Sequence, residues 1–218
     1  MNFIFGMSGF AKEVDWLIHD IFINNQKLDF RPDYFVVEDN SSLIGSTYNK
    51  KEIISERDFL SKYSDEKNNI IIAIGNPNIK RKIANNIIKK AQNSLFPCLI
   101  HPDVSYDKRD NKIKFCDGII ICSKSVLTTN IKIGKYVHIN LGCTIGHDVI
   151  IGDFSTLSPG VHISGNVEIC ENVFFGTGAA VIEKIFICSN VIIGAGAVVT
   201  KDITEPGTYV GVPAVKIK

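Results

Sequence analysis

What this chain lacks narrows it first. It has almost no net charge: 24 Lys and Arg against 23 Asp and Glu leave +1 over 218 residues. Such a balance gives no field to steer nucleic acid or an anionic membrane surface. No apolar run approaches the roughly 18 residues of a membrane span. The start, Met1-Asn2-Phe3-Ile4-Phe5-Gly6, lacks the basic residues and the length of a secretory leader, so none is expected. The six cysteines, Cys98, Cys116, Cys122, Cys143, Cys170 and Cys188, include no C-x-x-C pair. A zinc site is therefore not expected, and reduced thiols in a cytoplasmic protein are. The full dinucleotide fingerprint G-x-G-x-x-G is also missing. What remains is a globular protein of one or two domains, 45% hydrophobic and 22% charged.

What is present is a period. From Ile121 to Val199 every sixth residue is aliphatic or Phe, fourteen in succession, passing through Ile133, Ile145, Leu157, Ile169 and Phe175. Six matches neither a lone helix, at about 3.6, nor a half-buried strand, at about 2. It matches a solenoid of short strands with a turn after each step, the hexapeptide β-helix. One large side chain per step points into a narrow core. Several steps read Ile-Gly, as at Ile133-Gly134, Ile145-Gly146, Ile151-Gly152 and Ile193-Gly194. Glycine there is expected to supply the backbone dihedrals of the corners. Three steps per coil would stack Cys170 and Cys188 on adjacent coils.

The first ~95 residues read differently. Asn2–Phe5 is a short apolar strand followed by Gly6-Met7-Ser8-Gly9. Phe10 to Asn24 has a helical apolar face of Val14, Leu17, Ile18, Ile21 and Phe22. Tyr34–Val37 is a second strand ending at Glu38-Asp39-Asn40, residues 57–63 a short helix, and Ile70–Ile74 a buried strand ending at Gly75-Asn76-Pro77. Residues 78–91 resume a helical pattern. This order predicts a small parallel βαβ sheet whose ligand edge carries Gly6–Gly9, Asp39-Asn40 and Gly75-Asn76. Phe96 to Gly118 reads as a linker with an imperfect first coil, and Pro206-Gly207 with Gly211-Val212-Pro213 as a capping tail.

Two features can carry chemistry. A Gly-x-x-Gly turn between a strand and a helix can cradle a phosphate on backbone N–H groups, or simply turn the chain. Asp39, at a strand end, can bond a ribose or base, or stand as a solvated acid. His147-Asp148 is sharper. The core position of its step is Ile145, so a side chain two residues on is free to point outward. Imidazole is the usual general base near neutral pH, and an adjacent acid orients it. His138 and His162 each hold the sixth place of a step, where a structural role is expected.

The G-x-x-G-F-A-K-E-V opening, Gly75-Asn76-Pro77, His101-Pro102 and the Ile145-Gly146-His147-Asp148 step together resemble the NeuD/PglD-type acetyltransferases, bacterial enzymes acting on nucleotide-linked amino sugars or sialic acid. The resemblance covers nearly the whole chain. It implies an α/β Rossmann-like nucleotide-sugar domain over residues 1–96 and an all-β left-handed parallel β-helix acetyltransferase domain over residues 97–218. It further implies a homotrimer, acetyl-CoA as co-substrate between neighbouring solenoids, and no metal. Carried over by motif, His147 is the catalytic base and Asp148 its partner. Gly6, Ser8, Gly9, Asp39 and Asn140 match substrate-binding positions, and Gly165, Thr177, Ala195 and Pro213 match positions along the coenzyme groove. The chain departs from many relatives at Thr156, where they carry a second His, and at Ser8-Gly9-Phe10, where several read G-G-H.

The expected reaction is N-acetylation of a 4-amino-4,6-dideoxy sugar linked to UDP, dTDP or GDP; O-acetylation of sialic acid or a related sugar is the alternative. A hexapeptide carbonic anhydrase needs two His five residues apart, whereas His138, His147 and His162 are nine and fifteen apart. A non-catalytic trimeric scaffold would bind no acetyl-CoA. Neither membrane nor nucleic acid is an expected partner.

Overall fold

A glycine turn between a buried strand and an amphipathic helix starts the first unit. The computed structural model describes residues 1–24, 30–110 and 112–218. It divides into Met1–Gly75 with Ile79–Pro97, and Cys98–Lys218 with Asn76–Asn78. The first unit runs β1 (Asn2–Phe5), α1 (Gly9–Ile23), β2 (Tyr34–Val37), β3 (Thr47–Tyr48), β4 (Lys51–Ser55), α2 (Glu56–Tyr63), β5 (Asn69–Ile72) and α3 (Pro77–Lys90). The sheet order is β3-β4-β2-β1-β5, parallel except for the β3–β4 hairpin. Phe3, Ile4 and Phe5 of β1 are buried, as befits a parallel strand covered on both faces. The predicted helices differ by one residue at their ends, and β5 stops at Ile72 rather than Ile74. The sequence pattern did not reveal β3 and β4. Their two-residue turn is Asn49-Lys50, both at positive φ; without the usual glycine it carries no hairpin signal.

The second unit is a parallel β-helix with three faces. The first face stacks Leu99–Ile100, Ile120–Ile121, His138–Ile139, Thr156–Leu157, Phe174–Phe175 and Val191–Ile193. The second stacks Ser105–Tyr106, Val126–Leu127, Thr144–Ile145, His162–Ile163, Ala180–Val181 and Val198–Val199. The third holds Ile113–Phe115, Ile131–Ile133, Ile150–Ile151, Glu168–Ile169 and Phe186–Ile187. Register is eighteen residues, as in Ile145↔Ile163 and Ile151↔Ile169. A full coil precedes the periodic region, where the sequence reads as a linker with an imperfect first coil. Ile100, Tyr106 and Phe115 pair with Ile121, Leu127 and Ile133. The step from Tyr106 to Phe115 is three residues longer than the rest, which hid this coil from the periodicity.

Each step sends two side chains inward, not one. Besides the predicted series, residues two places earlier are buried throughout, from Ile119 through Cys143 and Val167 to Ala197. Ser125 and Ser155 fill two of these places, with their hydroxyls bonded to the carbonyls of Asn140 (2.9 Å) and Cys170 (3.3 Å). The corners also differ from expectation. Positive φ falls three residues after each core position, fourteen times from Gly118 to Gly196, on five Gly, four Asn, one Asp, two Lys, Tyr136 and Phe154. The Ile-Gly glycines are needed instead for close approach. A Cβ at Gly152 would lie 2.5 Å from the carbonyl carbon of Cys170 and 2.6 Å from the nitrogen of Glu171.

These two roles separate by mutation. Gly152→Ala forces a methyl group into the backbone of the next coil and should cost roughly 1–3 kcal/mol in denaturant unfolding. Gly160 has φ +68°, and a Cβ there would meet nothing within 4 Å. Gly160→Asn should therefore cost under about 1 kcal/mol.

Candidate active site

The corner after the second-face strand Thr144–Ile145 carries Gly146, His147 and Asp148. Asp148 sits at φ +59°, and its N–H donates to the Thr129 carbonyl one coil back at 3.1 Å. That conformation turns its carboxylate beside the neighbouring imidazole. His147 Nδ1 lies 2.8 Å from Asp148 Oδ2, with side-chain exposures of 58% and 46%. The hydrogen bond from His147, and then that from Asn130, hold the Asp148 carboxyl below the usual carboxylate range. An ionised carboxylate only accepts, so Nδ1 carries the proton and Nε2 presents its lone pair. Nε2 faces the next coil: a Cβ at Gly165 would lie 2.6 Å from it. Only glycine leaves room for the ring there.

The carboxylate is anchored by residues that the sequence pattern did not single out. Asn130 Nδ2 donates to Asp148 Oδ1 at 3.1 Å, and Lys112 Nζ donates to Asn130 Oδ1 at 3.3 Å. Lys112, Asn130 and Asp148 follow one another at eighteen-residue intervals, the signal that would have found them. His162 is exposed and bonds Thr144 Oγ1 through Nδ1 at 2.8 Å, while His138 is buried in the first face.

The structure thus joins His147, Asp148 and Gly165. It sets the remaining residues of this unit elsewhere on the prism. Asn140, Thr177 and Ala195 all follow first-face strands, at a different corner from His147. Asn140 Oδ1 accepts from the Leu141 N–H at 2.7 Å. Thr177 and Ala195 stack one coil apart, the Thr177 carbonyl accepting from the Gly196 N–H at 2.8 Å. Pro213, on a cis peptide bond, lies in a tail whose Gly211 and Ala214 bond Val198 at the end of the second face. Thr156 is buried.

In the first unit, Gly6 has φ +115°, and a Cβ would lie 2.9 Å from the Ala73 carbonyl oxygen. The turn it makes leads to Ser8, the N-cap of α1, and to Gly9, the first helical residue. Gly6 and Ser8 line a cavity of about 430 Å³, together with Glu38, Asn40 and Glu56. Asp39 and Gly9 are not among its lining residues. The Asp39 carboxylate accepts from the Arg57 N–H at 2.8 Å and pairs with that guanidinium at 3.5 Å. The acidic residue facing the cavity from the end of β2 is its neighbour Glu38. Among the described residues no group of three or more His, Cys, Asp or Glu is placed to hold a metal ion. Nor is any helix among them long and apolar enough to cross a membrane.

Residues 3–87 match the PglD N-terminal domain family. The GDP-perosamine N-acetyltransferase of Escherichia coli O157:H7 is 31% identical over 174 residues, spanning 78% of this chain and 73% of that protein. WeeI from Acinetobacter baumannii AYE has the same fold with a TM-score of 0.83 and 32% identity, over 100% of this chain and 99% of that one. The acetyltransferase domain of PglB from Neisseria gonorrhoeae FA1090, solved with acetyl coenzyme A, gives a TM-score of 0.83 at 28% identity, over 99% and 98% of the two chains.

The lowered Asp148 carboxyl predicts a pH signature. A carboxyl depressed in the folded state adds stability above its unfolded value, and that contribution is lost as pH falls through the folded value. Asn keeps the left-handed backbone but not the charge. Wild-type and Asp148→Asn proteins should therefore differ in melting temperature near neutral pH. The difference should shrink as pH is lowered past the ordinary carboxyl value of about 3.9.

Proposed function

Because the chain belongs to the PglD-type, acetyl-CoA-dependent sugar acetyltransferases, we propose that it N-acetylates a nucleotide-linked 4-amino-4,6-dideoxy sugar with His147 as general base. The observation that carries this reading is one corner: an imidazole fixed by Asp148 at Nδ1, with its free Nε2 turned to the glycine of the next coil. The neutral amine attacks the thioester carbonyl of acetyl-CoA, and Nε2 takes its proton. The tetrahedral oxyanion is held by a backbone N–H, for which Gly165, beside the ring, is the candidate. Collapse breaks the carbon–sulfur bond, and the proton on His147 passes to the departing thiolate of CoA. Asp148 remains a carboxylate throughout, holding the ring in one tautomer and offsetting its positive charge. Holding amine and thioester together supplies much of the rate gain.

The other assigned residues fit an assembly. Asn140, Thr177 and Ala195 stand at a different corner from His147, so one chain alone does not bring both sets to a single ligand. A homotrimer that packs one chain's first-face corner against the next chain's second-face corner does. In that arrangement the coenzyme lies along Thr177 and Ala195 toward Pro213. The first unit holds the nucleotide at Gly6–Gly9, and catalysis occurs in the cytoplasm, where nucleotide sugars and acetyl-CoA meet.

His147→Ala should lower kcat by at least about 10²-fold while the oligomer and its acetyl-CoA affinity are retained. Thiol release from acetyl-CoA with an amino-sugar nucleotide as acceptor measures it. Near-normal turnover would remove His147 from the mechanism, and release dependent on a hydroxyl acceptor alone would replace N- by O-acetylation.

A further inference from the structure

Resting on that reading, we propose that the first-unit cavity selects a guanine nucleotide, with Glu56 as the residue that recognises the base. The walls of the cavity are largely apolar, with Val37, Leu43, Ile79 and Ile83 among them. Its charged lining is two carboxylates, Glu38 and Glu56, with no Lys, Arg or His. A flat, uncharged ring with hydrogen-bond donors on one edge suits these two acids, and a phosphate does not. The phosphates belong at the Gly6–Ser8 turn, which lines the same cavity and opens α1.

The two carboxylates sit differently. Glu38 directly follows β2, where an acid in a doubly wound sheet meets ribose hydroxyls. Glu56 opens α2 and is half-buried, and its Oε1 accepts a hydrogen bond from Asn86 Nδ2 of α3. That bond uses one lone pair of Oε1 and leaves the other lone pairs of the carboxylate to a ligand. An ionised carboxylate only accepts, so it favours a base with two adjacent donors. Guanine presents N1–H and N2–H side by side and can pair bidentately. Uracil and thymine present one N3–H between two carbonyl oxygens, which would face the carboxylate and repel it. Adenine and cytosine offer an amino group beside a ring acceptor, half of the match. The acceptor of the reaction is therefore a GDP-linked amino sugar, not one carried on UDP or dTDP.

Calorimetric titration of the full chain with GDP, UDP, dTDP and ADP tests this. GDP should bind at least about 10-fold more tightly than the others, the discrimination of a good bidentate pair. Glu56→Gln has one acceptor oxygen and an opposing NH₂ group, so GDP should weaken about 10-fold while UDP does not. Glu38→Gln should weaken all four nucleotides in parallel, since ribose is common to them. Unchanged melting and acetyl-CoA affinity would show that each variant is folded. UDP or dTDP binding as tightly as GDP would overturn the base assignment, as would a parallel loss for all nucleotides in Glu56→Gln. Turnover of an amino sugar on UDP but not on GDP would overturn it while leaving the acetyltransferase reading intact. A chain that binds no nucleotide would overturn both.

Discussion

Backbone contact between successive coils is the constraint on which the geometry at His147 depends. At the corner of His147, a Cβ on Gly146 would lie 2.6 Å from the Gly165 nitrogen, so the two coils touch main chain to main chain. That contact, repeated every eighteen residues, stacks side chains from consecutive coils in columns. Lys112, Asn130 and Asp148 form one column, and His147 and Gly165 another. A hydrogen-bonded line down the first fixes the carboxylate. The bare backbone in the second leaves space for the imidazole. The site therefore follows from the stacking, and a single larger residue at Gly165 would close it.

The same stacking explains how an exposed histidine can be well placed. Most ordered side chains are held by burial, but His147 is 58% exposed. Its order comes from Nδ1 bonded to a carboxylate that is itself anchored from the coil below, on a backbone hydrogen-bonded to that coil. Rigid support of this kind holds a reacting group near its productive geometry without a closing lid.

Much of this was legible in the sequence, and the failures have physical causes. The six-residue series located the solenoid and put His147 outside its core, because one large inward residue per step is a strong signal. The second inward column was missed because it mixes Ile, Val, Cys, Ser and Ala, whose common property is being small or branched rather than large. Corner glycines were assigned the wrong duty. Their spacing showed that small residues were needed, but a sequence does not distinguish a need for unusual dihedrals from a need for close approach. The true left-handed positions include Tyr136 and Phe154, whose rings stack 5.1 Å apart. In the first unit, the resemblance singles out Asp39 after the second strand and leaves Glu38 unmarked. In the structure Glu38 lines the cavity, while the Asp39 carboxylate accepts from the Arg57 N–H at the start of α2. That contact spans eighteen residues through an unpredicted hairpin, so local pattern carried no trace of it.

The two units then pose opposite physical problems. The proposed acetyl transfer needs a base fixed against a rigid wall, and the corner of His147 offers one through contacts only a coil apart. Substrate choice needs a shaped cavity with a few directed polar groups, and the parallel sheet supplies it where strand ends and helix starts converge. Exposure of His147 in one chain bears on how these tasks combine. Water beside the ring would compete with the amine for Nε2 and would weaken the electrostatic hold on an oxyanion. In the proposed trimer, a surface from a second copy covers this corner, removes that water and brings Thr177 and Ala195 to the same ligand. The column that orders His147 from within is thus half of the proposed site, and the covering neighbour is the other half.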